Sequence, residues 1–174
     1  ELECLLSELG MPEARFSIEL SKSDSFLSNG KDKLNFLFSA NKGGSFGELK
    51  KVASGGELSR IMLTIKKILS ENTQLPTIIF DEIDTGVSGE ISNKIAKIMQ
   101  QMSTQMQVIT ITHLPQIAAK GNQHYKVFKE DVAGVTTTNL KQLSEDERIV
   151  EIAEMLSGKD ISDSAITHAK ELLN

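Results

Sequence analysis

The sequence predicts an α/β fold: a parallel sheet with crossover helices, flanked by β-hairpins and followed by C-terminal helices. Three observations predict it. From Ser54 to Thr112, runs with helical apolar spacing alternate with short apolar, β-rich runs, which is the pattern of strands joined by crossover helices. Period-2 stretches separated by turn residues occur on either side of that region. Two further amphipathic stretches with cap signals end the sequence.

The elements follow in order. Residues 1–9 carry Leu2, Leu5, Leu6 and Leu9 at helical spacing, and Gly10-Met11-Pro12 stops the run. The stretches 14–20 and 33–39 alternate with period 2 around a turn at Ser28-Asn29-Gly30, so a hairpin is expected. Residues 41–53 show no periodicity and read as a Gly- and Lys-containing loop. After Ser54, the apolar positions Leu58, Ile61, Met62, Ile65, Ile68 and Leu69 fall on one helix face. Pro76 precedes Thr77-Ile-Ile-Phe80, a run that reads as a buried strand. A second helix face holds Ile91, Ile95, Ile98, Met99 and Met102 and leads to the β-rich run Val108 to Thr112. A short helix from Pro115 and a hairpin within 123–142, turning near Gly134, come next. Ser144-x-x-Glu147 is a capping box for a helix closed by Gly158, and a last helix starts near Asp163.

Composition narrows the function classes. The 174 residues are 39% hydrophobic and 25% charged, which suits a soluble globular protein. A chain of this length buries roughly two thirds of its unfolded surface, so it needs no metal or disulfide staple. The single cysteine, Cys4, forms no internal bridge and is compatible with a reducing cytoplasm. No run approaches the roughly 18 apolar residues of a membrane span, and the start lacks the basic region of a signal peptide, so no membrane partner is expected. The first residue, Glu1, suggests a piece of something longer. The net charge of -5 argues against a generic polyanion binder. Residues 141–174 hold four basic and eight acidic residues, whereas Lys50, Lys51, Arg60, Lys66 and Lys67 face only Glu57 between Leu49 and Leu69.

Three motifs carry chemistry. Ser54-Gly55-Gly56-Glu57 opens an amphipathic helix, where unpaired N–H groups and a positive dipole end suit a phosphate; Ser-x-x-Glu is equally a plain capping box. Asp81-Glu82 ends a strand, and ligands of parallel sheets lie beyond the carboxyl ends of the strands. One carboxylate there can hold Mg2+ through water while the next, pointing differently by strand alternation, orients an attacking water. His113 follows the second strand and can donate to a phosphate oxygen.

Signature turn, helix, Asp-Glu strand, Asp84-Thr85-Gly86, helix and His-ended strand come in an order that resembles the C-terminal half of an ABC-type ATPase head, over roughly residues 50–120. Val52-Ala-Ser-Gly-Gly-Glu-Leu-Ser-Arg60, Ile79-Phe-Asp-Glu-Ile-Asp-Thr-Gly-Val-Ser-Gly89 and Thr112-His-Leu-Pro-Gln-Ile-Ala118 narrow the resemblance to the RecN-type DNA repair ATPases, relatives of the structural maintenance of chromosomes (SMC) proteins. Phe38-Ser-Ala-Asn41 and Glu151-Ile-Ala-Glu-Met-Leu156 extend it over most of the chain. The resemblance implies that residues 1–10 end a coiled-coil arm and that 11–174 form the C-terminal lobe of the head. It implies Asp81 as the Mg2+ residue, Glu82 and His113 as catalytic, and Ser54, Gly55, Gly56, Glu57 and Asp84 as nucleotide-binding, Asp84 at a dimer contact. The implied partners are the protein's own N-terminal ATPase lobe, a second head joined through ATP, and DNA; the implied place is the cytoplasm, at the nucleoid. A transporter nucleotide-binding subunit and a non-enzymatic tether or DNA-binding module are the alternatives.

The phosphate-cradling Gly-x-x-x-x-Gly-Lys-Ser/Thr occurs nowhere in the chain, although the family carries it in the N-terminal lobe. Charge-assisted hydrogen bonds contribute roughly 1.5 to 3 kcal/mol each, and association costs at least about 4 kcal/mol. Titration of ATP into this chain alone is therefore expected to give a Kd near millimolar or weaker. A micromolar Kd would overturn that expectation.

Overall fold

In the computed structural model, which describes residues 1–73, 75–87, 89–132 and 134–174, the leucines of the first run form a short helix, α1 (Leu2–Glu8). Leu6 and Leu9 are wholly buried and enter two different apolar clusters. Leu6 meets Met11, Ala14, Phe38 and Ile61; Leu9 meets Leu63, Phe80 and Ile95. Gly10 makes the turn between them at φ 79, and a Cβ there would come within 2.9 Å of Ile91 Cδ1, so both backbone and space call for glycine.

The first hairpin pairs β1 (Arg15–Leu27) with β2 (Gly30–Ser39). It is longer than the alternation predicts, because Ser21 to Ser25 is polar, Phe26 and Leu27 are exposed, and the stretch has no burial period to read. At its base, Phe16 stacks on Phe36 at 5.0 Å between ring centroids and leans on Phe38 at 5.1 Å. The stretch expected as loop 41–53 contains two short elements, β3 (Gly47–Glu48) and α2 (Leu49–Val52). Gly47 and Glu48 pair with Phe38 and Leu37, so the free edge of β2 organises residues too few to show a period.

The centre is helix, strand, helix, strand as predicted: α3 (Gly55–Asn72), β4 (Thr77–Asp81), α4 (Gly89–Ser103) and β5 (Gln107–Ile111). β4 and β5 pair in parallel, with Thr77 opposite Gln107 and Asp81 opposite Ile111. Parallel neighbours need a crossover, which α4 provides by burying Ile95, Ile98, Met99 and Met102. On α3, Ile61 and Leu63 are buried toward the two clusters, while Met62 and Leu69, expected on the buried face, are exposed. The helix is gripped from two sides, so its buried stripe is broader than the sequence face and offset from it. The run Thr77 to Phe80 reads as a buried strand, but only one face of the pair is covered. Ile78, Val108 and Phe80 do face the core, whereas Ile79, Ile109 and Ile111 stay 62%, 42% and 53% exposed.

Pro115 starts α5 (Pro115–Ala118), followed by the antiparallel hairpin β6 (Tyr125–Val132) and β7 (Val135–Gln142). The three sheets, β1-β2-β3, β4-β5 and β6-β7, are separate among the described residues. α6 (Glu145–Ser157) and α7 (Asp163–Leu173) meet through Ile152, Ala153, Ala165 and Ala169. Arg148, almost fully buried, fastens α6 to the preceding chain: Nη2 donates to Gly121 O at 2.6 Å and Nη1 to Glu145 Oε1 at 3.1 Å.

The α6 capping box forms as predicted, Ser144 N donating to Glu147 Oε2 at 2.9 Å and Glu147 N to Ser144 Oγ at 3.3 Å. Lys141 also donates to the Glu147 carboxylate. That ammonium, with the Ser144 amide, holds the Glu147 carboxyl down from 4.5 to about 2. A carboxyl depressed in the folded state stabilises above its unfolded value, and the stabilisation is lost as pH falls through the folded one. Thermal melts of Glu147→Gln should therefore lose part of the Tm decline that the parent chain shows between pH 4.5 and about 2. An identical pH dependence in both would overturn the assignment.

Candidate functional site

The parallel ladder decides where the acidic pair emerges. Asp81 is the last residue of β4 and lies opposite Ile111, and Glu82 N donates one further bond to Ile111 O at 3.0 Å. Glu82 then leaves the strand at φ 46, the one described non-glycine residue with positive φ. A left-handed conformation costs such a residue roughly 1–2 kcal/mol. The change of direction between the two carboxylates thus comes from this left-handed turn, and not from continued strand alternation as expected. The turn is tied down behind Glu82, whose carbonyl accepts from Thr85 N at 3.3 Å and from Thr85 Oγ1 at 2.9 Å.

Asp81 and Glu82 are both exposed, and among the described residues neither carboxylate has an ion-pair or hydrogen-bond partner. His113, two residues past the Ile111 that faces Asp81, is exposed as well. Asp81, Glu82 and His113 therefore come to the same end of the ladder. No group of three or more His, Cys, Asp or Glu able to hold a metal occurs among the described residues. Mg2+ is usually held by one or two carboxylates plus substrate phosphates, and an exposed, unpaired Asp81 fits that donor set.

Asp84 is enclosed in the single chain. Its side chain is 1% exposed and accepts from Thr112 Oγ1, which in turn accepts from Leu114 N at 3.0 Å. The carboxylate clamps the turn after β4 to the exit of β5, the segment that carries His113. Its Oδ1 has no partner among the described residues.

The Ser54 turn lies at the same end, since a helix that runs into the following strand has its N-terminus near that strand's carboxyl end. A contact verifies it: a Cβ on Gly56 would meet Thr85 O at 3.3 Å and Gly86 O at 3.9 Å. At Gly55 a Cβ would meet nothing within 4 Å. The two glycines thus act differently, Gly56 admitting the loop after β4 and Gly55 leaving its surroundings open. The capping box forms here too, Ser54 N donating to Glu57 Oε2 at 2.7 Å and Glu57 N to Ser54 Oγ at 3.4 Å. The Gly55 and Gly56 N–H groups have no partner among the described residues, and the Ser54 hydroxyl, which accepts from Glu57, keeps its own proton to donate. Capping and anion contact are compatible uses of one turn. Ser88, within the quoted run, lies outside the described residues.

The basic stretch is partly neutralised internally: Lys51 pairs with Glu48 at 2.9 Å, and Lys67 pairs with Glu71. Lys66 instead borders a groove of about 420 Å³ with Leu58, Met62, Ile79 and Asp81. Sequence reasoning missed two polar residues. Thr112 carried a signal in standing directly before His113 at a strand exit. Arg60 carried one in lying a helical turn after Gly56, next to the buried Ile61.

Hydrogen bonds to charged groups contribute roughly 1.5–3 kcal/mol. Thr112→Val, which leaves the buried Asp84 carboxylate without its donor, should destabilise the chain by about 2–3 kcal/mol in a denaturant titration. Thr112→Ser should remain near the parent.

No family model matches the chain. Individual proteins do match. It is 49% identical over 144 residues to the DNA repair protein RecN of Bacillus subtilis, covering 83% of this chain and 25% of that protein. It is 40% identical over all 174 residues to RecN of Halalkalibacterium halodurans, 31% of that protein, and 42% identical over 172 residues to RecN of Deinococcus radiodurans, 30% of it. The fold resembles the Smc head domain with coiled coil and joint from Pyrococcus yayanosii, with TM-score 0.67 and 20% identity over 90% of this chain and 28% of that one. It also resembles an SMC ATPase structure described for ATP-driven dimerization and DNA-stimulated activation, with TM-score 0.56 and 18% identity over 90% and 89% of the two chains. With bacterial RecN sequence along its whole length and an SMC-head fold, the chain is a homologue of one segment of the DNA repair protein RecN, spanning 25 to 31% of the relatives described.

Proposed function

We propose that this chain is the C-terminal lobe of an ABC-type ATPase head, and that the full-length protein hydrolyses ATP between two such heads in the repair of DNA double-strand breaks. The observation that carries this reading is the common end shared by Asp81, Glu82, His113 and the Ser54 turn, in a chain 40% identical to a RecN protein over all its residues. The RecN matches favour it over a transporter subunit, and the unpaired acids at the strand end favour it over an inert tether. Residues 1–10 then end a coiled-coil arm anchored by Leu6 and Leu9.

Asp81 would hold Mg2+, and Glu82, turned off the strand, orients and polarises the attacking water. His113 donates to the γ-phosphate. Ser54, Gly55 and Gly56 present a hydroxyl and two amides to the ATP of the opposite head, where a helix N-terminus favours negative charge. Glu57 keeps that turn shaped through its cap, and Asp84 acts through Thr112 to set the His113 segment. The metal would supply charge neutralisation during phosphoryl transfer, and Asp81 is the residue of this chain that would hold it. The protein's own N-terminal lobe supplies the phosphate cradle and covers apolar surface such as Ile79, Ile109 and Ile111, which a parallel sheet rarely leaves to water. Action on DNA places the protein at the nucleoid.

The test is Glu82→Gln in the full-length protein. Loss of a general base typically costs about 10²- to 10⁴-fold in rate. ATP binding should persist, the ATP-bound dimer should accumulate in light scattering, and turnover should fall by that factor. Unchanged turnover would remove Glu82 from the role.

A further inference from the structure

Arg60 makes two hydrogen bonds that join parts of the chain far apart in sequence. Its Nε donates to Gly56 O at 3.1 Å and its Nη1 to Leu9 O at 2.9 Å. The first acceptor belongs to the Ser54 turn itself. The second is one of the last carbonyls of the α1 region, at the negative end of a helix where acceptors lack helical partners and a cation is favoured. No carboxylate pairs with Arg60 among the described residues. The guanidinium is therefore engaged with backbone on both sides rather than with a counter-ion.

The surroundings leave this fork little freedom. Arg60 is half-buried, and Leu9 is wholly buried in the main cluster. A Cβ on Gly10 would lie 3.5 Å from Arg60 Nη1 and 2.9 Å from Ile91 Cδ1, so α1, α3 and α4 converge around the guanidinium. Gly56 is held from two directions, its carbonyl by Arg60 and its Cα by the close approach of Thr85 O. A planar group with donors in fixed directions can join two carbonyls, whereas an ammonium on a flexible stem acts as a point charge.

We infer that Arg60 is a positioning residue that locks the Ser54-Gly55-Gly56 turn to the end of α1, so that the arm end and the nucleotide-contacting turn move as one body. The inference rests on the proposed ATPase reading. On that reading the turn serves the opposite head, so Arg60 acts on its partner's site and not on its own.

The experiment uses the full-length protein with Arg60→Ala, Arg60→Lys, Ser54→Arg and Glu82→Gln. Misplacement by about 1 Å can cost on the order of 10²-fold in rate, so Arg60→Ala should lower kcat by about 10- to 100-fold. The ATP concentration at half-saturation should stay within about threefold, the pattern of an interaction realised in the transition state. Arg60→Lys should recover only part of the loss. Equimolar mixing of Arg60→Ala with Glu82→Gln should raise turnover several-fold above either variant alone. In a mixed dimer, one site combines an intact Glu82 with an intact turn from the other subunit. A globally damaged head would give no such rescue. Parent-like turnover by Arg60→Ala, or full recovery in Arg60→Lys, would overturn the inference. So would rescue of Ser54→Arg by Glu82→Gln without rescue of Arg60→Ala. Failure of Ser54→Arg itself to be rescued would overturn the shared-site reading instead.

Discussion

Parallel pairing of Thr77–Asp81 with Gln107–Ile111 is the constraint on which the rest depends. Two parallel neighbours cannot be joined by a tight turn, so a helix must return the chain, and α4 does so with a face of Ile95, Ile98, Met99 and Met102. The same geometry sends both strands out at one end. The groups of the candidate site then gather there: two unpaired carboxylates, an exposed imidazole and, from the helix that precedes β4, an N-terminus with free amides. The opposite ends of the strands carry Thr77 and Gln107, which bond to one another at 3.0 Å and offer nothing of that kind.

Around that end, order is bought with backbone and buried polar contacts rather than with surface ion pairs. Glu82 occupies a left-handed conformation whose cost the neighbouring Thr85 bonds and the last ladder bond offset. Asp84 is more costly still, an enclosed carboxylate with one oxygen served by Thr112. Such residues make poor surface contacts and good anchors: they fix the loop after β4 to the segment leading to His113. The loop also touches Gly56, so the acidic pair, the histidine segment and the glycine turn share one set of constraints. Exposed pairs such as Lys51 with Glu48 contribute little to this arrangement, as expected for charges in water.

Much of this was legible because strong periodicity and sharp punctuation coincide. The α4 face, the Gly134 turn and the Ser144 cap each needed only local rules, and the structure has them where the sequence puts them. What escaped depends on distant partners. β3 exists because β2 has a free edge, a fact absent from residues 41–53 themselves. The offset of the buried stripe on α3 arises from two clusters that meet it from different sides. In the candidate site, the order of motifs put Asp81, Glu82 and His113 at strand ends, where the structure has them, but an acidic residue in a loop after a strand reads as solvent-facing. Nothing local to Asp84 announces that Thr112, far along the chain, encloses it.

The uncovered side of β4 and β5 bears on the chain's colloidal behaviour. Among the described residues each strand has a single neighbour, so both outer edges of this two-stranded sheet keep backbone donors and acceptors without ladder partners. Above those edges lie Ile79, Ile109 and Ile111, a row of β-branched side chains in water. Open hydrogen-bonding edges beside an apolar face are the template for strand addition by another molecule. That face is adhesive by construction: another molecule that added a strand to either edge would satisfy backbone groups and cover isoleucines in a single step.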